Sequence, residues 1–424
     1  MALVIYAIKE KMNTPTIVIE LSNSAIKILV GDVLNNKPIV LYATSRSTAG
    51  LIKNGIIVDL KAFVELIREI SHIEDAQSRV RFDITRVTLV MPAIGFEIYE
   101  DKKSVNVVSA VGKIEKIDIA NLISMIRKSR IRADCSFVDI IPTLFYVDTG
   151  QTTEIPYGVT SATLGMKAII YTLPTQIVNS YRGSLENANI RIRRTIVAPH
   201  AIACLMAREK DFPETYIYVD VGADVTNISL IKKTHVYNSS YFLIGSNNLT
   251  NDIANAFNID FKEAEKLKRQ YGYDTRTLSF APTIVSAVGT DGNEHLYNVN
   301  DLNKVIKNYL DNYIYSFDTC LNNLLSIYGE KQRDFPIVFG GGGSRLAGFL
   351  NYFKEKYVDR DVRVVPLNIV GARNQRYLNC VGALLAPANY VGTLEDAHFS
   401  LTSVARTSAQ PRKSKSIVVD DDVL

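Results

Sequence analysis

The sequence predicts a two-domain α/β protein, and three observations carry that expectation. Runs rich in β-branched residues alternate with stretches of helical periodicity along the 424-residue chain. One strand–turn–strand plan occurs twice, once near the start and once past the middle. An apolar strand also runs into four successive glycines and then into a helix. With 47% hydrophobic residues the chain can bury several cores, and ~100–200 residues per domain leads to about two to four domains.

Taken in order, strands are expected at Ile17–Leu21, Ile26–Val30, Ile39–Ala43, Val87–Met91, Tyr216–Val221 and Ile337–Phe339. Asp59 precedes Leu60, Phe63, Val64, Ile67 and Ile70 on one helical face, and Asp301 precedes Leu302, Val305, Ile306, Tyr309, Tyr313 and Phe317 with the same spacing. Both read as helices capped by their aspartates.

The repeated plan pairs Val18–Ile28 with Tyr218–Ile228. Each has a carboxylate near the end of its first strand, Glu20 or Asp220, followed by a short polar turn. The pairing suggests two similar domains facing one another; the alternative is two unrelated hairpins.

Charge and cysteine content narrow the function classes. The net charge of +4, from 48 basic and 44 acidic residues, is too balanced to point to nucleic acid. Arg127, Lys128, Arg130 and Arg132, like Arg191, Arg193 and Arg194, read as solvated faces. Cys135, Cys204, Cys320 and Cys380 form no CxxC pair, which fits a reducing cytoplasm, and the five histidines show no zinc-ligand spacing. No apolar run reaches the ~18–20 residues of a membrane span, and no signal peptide is recognisable, so any membrane contact is expected to be peripheral.

A nucleoside triphosphate held between two domains needs backbone N–H donors, small residues for close approach and carboxylates for a hydrated Mg²⁺. The two turns have these parts. Ser22, Asn23 and Ser24 can serve one phosphate face, and Gly222, Ala223, Asp224 and Thr226 the other, with Glu20 and Asp220 near the metal through water. In Ile337–Phe349, Gly341, Gly342 and Gly343 let a base or ribose lie on the backbone. This run lacks the GxGxxG spacing of a dinucleotide fold, and no GxxxxGK[ST] motif occurs. Glu265 and Lys268 share a helical face, as a surface ion pair also would.

Hairpin, hairpin, Glu/Lys helix and Gly-rich turn, in this order, resemble the phosphate-1, phosphate-2 and adenosine motifs of the actin, Hsp70 and sugar-kinase superfamily. Within it, residues 14–387 are similar to the FtsA family of bacterial cell-division proteins, through Gly50–Asp59 and through Ala264-Glu265-Lys266-Leu267-Lys268 with Tyr271-Gly272. The resemblance implies a two-domain actin-like fold with an FtsA-type inserted subdomain. It divides the chain into an extension at 1–13, domain 1A at 14–81 and 166–198, the insertion at 82–165, domain 2 at 199–387 with a lobe near 245–300, and a disordered tail at 388–424.

It also implies ATP with Mg²⁺ as cofactors, filaments of the chain itself, and the FtsZ C-terminal peptide and membrane lipids as partners at the division site. Glu265 and Lys268 become nucleoside contacts, and Gly341 and Gly342 the adenosine-loop pair. The first loop departs from the family, with Glu20, Leu21, Ser22, Asn23 where the pattern is acid, apolar, Gly, Thr/Ser. Nucleotide binding is therefore expected, with slow hydrolysis at most. A small-molecule kinase of the same superfamily and a PilM-like pilus-assembly ATPase are the alternatives. The tail Pro411–Leu424 ends in acidic residues and lacks the family's amphipathic helix, so the first dozen residues are expected to contribute more to lipid binding.

Overall fold

The computed structural model describes residues 15–386, apart from 36, 49, 76–79, 277, 289–291, 327–333 and 367–368. Both expected membrane-binding segments and the expected disordered tail lie outside the described residues. The described residues form two compact units: one within residues 15–99, 131–139 and 170–386, the other of residues 100–130 and 140–169.

Two five-stranded sheets organise the larger unit. The first contains β1 (Thr16–Leu21), β2 (Ala25–Leu34), β3 (Lys37–Ser47), β4 (Arg86–Met91) and β5 (Arg191–Val197), in the order β5-β4-β1-β2-β3. The second contains β6 (Thr215–Val221), β7 (Thr226–Lys232), β8 (His235–Phe242), β9 (Ile337–Gly340) and β10 (Val362–Val364), in the order β10-β9-β6-β7-β8. In each, the first three strands form an antiparallel meander and the last two are added in parallel. Strand order and direction agree throughout, so the echo read in two short segments extends to whole sheets.

Residues 86–91 correct one placement. The reading that starts the insertion at 82 assigns this strand to the inserted piece, but β4 pairs in parallel with both β1 and β5 inside the first sheet. Its run Val-Thr-Leu-Val-Met is buried at every position, as a strand covered on both faces requires.

The helices of the larger unit, among the described residues, are α1 (Leu60–Ser71), α2 (Thr175–Asn187), α3 (Ala198–Met206), α4 (Ser246–Phe257), α5 (Phe261–Tyr271), α6 (Val299–Leu325), α7 (Phe349–Lys356) and α8 (Leu378–Leu385). Asp59 caps α1 by accepting from Ala62 N at 3.0 Å. Asp301 does not cap α6; Asn298 does, accepting from Asp301 N, while the Asp301 carboxylate accepts from Asn298 N at 3.2 Å. The two form a reciprocal capping box that sequence spacing alone placed three residues late.

Tyr313, Phe317, Phe339, Phe349 and Phe353 are fully buried beside the second sheet, with the Phe339 and Phe353 rings 4.6 Å apart, edge to face. Phe339 is followed directly by the glycine run, so this aromatic core anchors that turn. Helices α3 and α8 are buried along their whole length. They cross so closely that a Cβ on Gly382 would lie 2.1 Å from the carbonyl oxygen of Ala201.

In the smaller unit, helix Lys116–Ile126 buries Ile119, Leu122 and Ile126, and the buried Asp118 accepts from Val108 N and Glu115 N, both at 2.8 Å.

Candidate nucleotide cleft

A cleft of about 750 Å³ opens at the ends of β1 and β6. The turns that follow those strands are built alike: Ser22 N donates to Ala25 O at 3.1 Å, and Gly222 N to Val225 O at 3.0 Å. Across the hairpins Glu20 pairs with Lys27 and Asp220 with Asn227. Strand alternation then decides what faces the cleft. Lys27 and Asn227 line it, while Ile26 and Thr226 point into their cores and are fully buried.

This removes Thr226 from the expected phosphate contacts. Its hydroxyl is engaged with Ile244 O at 2.7 Å and Tyr313 OH at 2.9 Å, and it holds the hairpin against the aromatic core. The other expected residues all line the one cleft: Glu20, Ser22, Asn23, Ser24, Asp220, Gly222, Ala223, Asp224, Glu265, Lys268, Gly341, Gly342 and Gly343.

Ser22 accommodates the missing glycine by turning inward, its hydroxyl donating to Ala25 O at 2.8 Å. Asn23 is the junction of this region. Its Nδ2 donates to Asp224 Oδ2 at 3.0 Å, its Oδ1 accepts from Gly55 N at 3.1 Å, and its backbone oxygen accepts from Thr48. Gly55 sits at φ +75° after Asn54 at φ +49°, the left-handed pair that a two-residue hairpin turn demands. The Gly50–Asp59 motif thus supports the first turn.

Electrostatics at the floor are set by four groups. Lys27 Nζ lies 2.7 Å from Glu20 Oε1, and Asn379 Nδ2 on α8 donates to the same oxygen at 3.1 Å. Burial alone would lower the Lys27 ammonium, but the charge and hydrogen bond of Glu20 outweigh it and hold it above its usual value. Burial first, then the charge of Glu20, push the Asp220 carboxyl up to about 6, with Lys27 opposing. Asn227 Oδ1, Asn379 Oδ1 and Tyr181 OH are buried beside the cleft without partners among the described residues. Two carboxylates and two orphaned amide oxygens suit a hydrated cation, whose waters donate to such acceptors. Among the described residues no cluster of three or more His, Cys, Asp or Glu could hold a metal outright, so the donor set fits Mg²⁺ bound mainly through water and ligand oxygens.

Beside Asp220, the four glycines at the end of β9, the strand that pairs with β6, divide by role. A Cβ on Gly340 would lie 2.5 Å from Tyr218 OH, one on Gly341 2.3 Å from Asp220 Oδ1, and one on Gly343 2.5 Å from Val221 Cγ1. Gly342 has φ −68°, open to any residue, and a Cβ there would meet nothing within 4 Å. Packing explains three of the four; Gly342 leaves room over the cleft.

Glu265 and Lys268 are paired, but they are not a surface pair. Lys268 is buried, and its Nζ donates to Ser246 O at 3.0 Å and to Ser246 Oγ and Thr250 Oγ1, both at 2.7 Å. Burial lowers the Lys268 ammonium below its usual value. Burial of Glu265 is outweighed by hydrogen bonds from Lys268 and Thr250, which keep its carboxyl low. The pair therefore fastens α5 to α4 and presents a fixed charged wall.

Lys27 and Asn379 escaped the sequence reading, as did Asn247, whose Nδ2 donates to Asp224 Oδ1 at 2.8 Å. Lys27 could have been found as the cross-strand partner of Glu20, since both hairpins have the same length.

Comparison with known proteins agrees with this geometry. The profile of the cell division protein FtsA matches residues 217–382, which include the second hairpin, α5 and the glycine turn. FtsA of Streptococcus pneumoniae is 26% identical over 369 residues, covering 86% of this chain and 78% of that protein. FtsA of Enterococcus faecalis is 23% identical over 418 residues, covering 96% and 89%. The chain is similar to FtsA cell division proteins over most of its length. Solved structures support the fold. The PilM-PilN type IV pilus biogenesis complex matches with a TM-score of 0.54 at 17% identity, covering 91% of this chain and 98% of that one. MreB5 of Spiroplasma citri bound to AMPPNP matches with 0.52 at 11%, covering 94% and 99%. Among the described residues of the FtsA-like chain, no helix is long and apolar enough to cross a membrane.

Proposed function

We propose that this FtsA-like protein binds ATP with Mg²⁺ in the cleft between the two matched turns, polymerises on the cytoplasmic face of the membrane, and links the FtsZ ring to that membrane at the division site. The observation that carries the nucleotide reading is Gly342: no backbone or packing demand of the fold calls for glycine there, and it borders the cleft beside which the orphaned acceptors lie. The base or ribose would lie over Gly342, the phosphates would reach toward Ser22–Ser24 and Gly222–Asp224, and Glu20 and Asp220 would hold the hydrated metal. The metal would neutralise phosphate charge. The chain's own part is to orient the nucleotide with Lys27 and the turn N–H groups and to keep Asp220 beside the metal water.

Electron microscopy and sedimentation of the full chain on lipid vesicles, with and without MgATP, test the scaffold. Filaments that need nucleotide and no small-molecule acceptor support it, and ATP turnover that requires an added sugar or acid would replace it with a kinase. Adding the FtsZ C-terminal peptide tests the partner. Vesicle co-sedimentation of chains lacking residues 1–12 or 411–424 tests attachment; loss of binding only in the second would overturn the N-terminal reading.

A further inference from the structure

The two turns are matched in backbone but not in charge. Counting from the aligned carboxylates Glu20 and Asp220, Ser24 in the first turn corresponds to Asp224 in the second. Ser24 is exposed, whereas Asp224 reaches across the cleft to the first turn. Its Oδ2 accepts from Asn23 Nδ2 at 3.0 Å and its Oδ1 from Asn247 Nδ2 at 2.8 Å. Asn23 cannot readily swing away, because Gly55 N and Thr48 Oγ1 hold its other polar atoms. An anionic group of the protein therefore already sits between the two loops that flank the phosphate end.

Three carboxylates, Glu20, Asp220 and Asp224, line the cleft, and Lys27, the cation of the first hairpin, is already engaged with Glu20 at 2.7 Å; Lys268, Arg269, Arg345 and Arg376 line it as well. The outermost phosphoryl group of a triphosphate lies farthest from the base and so comes nearest the two turns. To enter between them it must part Asn23 from Asp224 and lie against a carboxylate, a like-charge approach that is costly where water is scarce. A diphosphate carries less charge and ends sooner.

We propose that Asp224 is a specificity-determining residue that makes the cleft hold a nucleoside diphosphate more tightly than the corresponding triphosphate. This rests on the nucleotide reading above and deepens it: ATP enters only by opening the Asn23–Asp224 bridge, and the diphosphate form is the one the closed turns accept.

Calorimetric titration of the full chain with MgADP and with the Mg complex of a non-hydrolysable ATP analogue provides the test, on the native protein, Asp224→Asn and Asp224→Gly. The asparagine is isosteric, the glycine removes the side chain, and a thermal melt confirms that each is folded. The native chain is expected to favour the diphosphate about tenfold, and each variant to shift the affinity ratio about tenfold toward the triphosphate, the size expected of one like charge removed at close range. A native chain that binds the triphosphate equally or more tightly overturns the proposal, as does an unmoved ratio in both folded variants. Failure of the native chain to bind either nucleotide is a different result, which removes the nucleotide reading and this proposal with it.

Discussion

Lys27 Nζ and Glu20 Oε1 lie 2.7 Å apart, and the two residues are direct cross-strand partners in the β1–β2 hairpin. Both side chains are largely buried, and Asn379 from the distant helix α8 shares the Glu20 carboxylate. Removing the ammonium leaves a buried charge with only the Asn379 amide and the weakly donating Cys380 thiol beside it among the described residues. Lys27→Met should lower stability by about 3 kcal/mol in urea unfolding, and Glu20→Gln in the same chain should restore most of it. Because Lys27 is held above its ordinary 10.5, the stabilisation is complete below that pH and is lost as the pH rises through the higher folded value. Equal stability of the single and double variants would rule the pair out as a stabilising element.

Asp220 carries the opposite sign. Its carboxyl is raised from an ordinary 3.8 to about 6, so ionising it costs the folded state more than the unfolded one. Stability from this group is therefore greatest at low pH and falls as the pH rises from 3.8 through about 6. Asp220→Asn should melt higher than the native chain at pH 7 and match it below pH 3.8, while binding MgATP more weakly. A variant that melts lower at neutral pH, or binds MgATP unchanged by calorimetry, would contradict this dual role.

The glycine turn should separate folding from binding. Gly342→Val, at ordinary φ with open space, should leave the melting temperature within about two degrees and abolish binding of a fluorescent ATP analogue. Gly341→Ala, at φ +81° with Asp220 Oδ1 2.3 Å from the added carbon, should instead destabilise the fold by about 1–3 kcal/mol. Unaltered analogue binding by Gly342→Val would refute the placement of the base.

Gly382 sits where α8 meets the backbone of α3, with the Ala201 oxygen 2.1 Å from the position a Cβ would take. Gly382→Val must push the helices apart and should cost about 1–3 kcal/mol or more in thermal unfolding. Since α8 also carries Asn379, the same change should weaken nucleotide binding by displacing the floor of the cleft. Normal melting would show that the crossing can relax.

Restoring the family's glycine at Ser22 tests the altered first turn. Ser22→Gly gives up the hydroxyl bond to Ala25 O, worth about 0.5–1.5 kcal/mol of stability. It should leave MgATP affinity intact or raised, with any hydrolysis faster. Weaker calorimetric binding would identify the Ser22 hydroxyl as a phosphate ligand.

Much of this architecture is legible locally. β-Branched runs mark β1, β2, β4, β6 and β9, the apolar spacing after Asp59 marks α1, and the duplicated strand–turn–strand plan anticipates two matched sheets, because strand propensity, helical periodicity and turn chemistry are properties of neighbouring residues. Non-local partners are not. Sequence assigned β4 to an insertion, and only its parallel pairing with β1 and β5 places it in the first sheet. Thr226 matched a motif yet faces the core, since the two-residue period of its strand sends Asn227 to the cleft instead. Lys27 met Glu20 only once the hairpin closed, and Asn379 only once α8 packed beneath it. The sequence by itself determined the strands, the turns and the small residues at the turns beside the cleft. Tertiary structure alone decided which side chains enter that cleft and how their charges balance, because burial and through-space fields depend on partners that lie hundreds of residues apart along the chain.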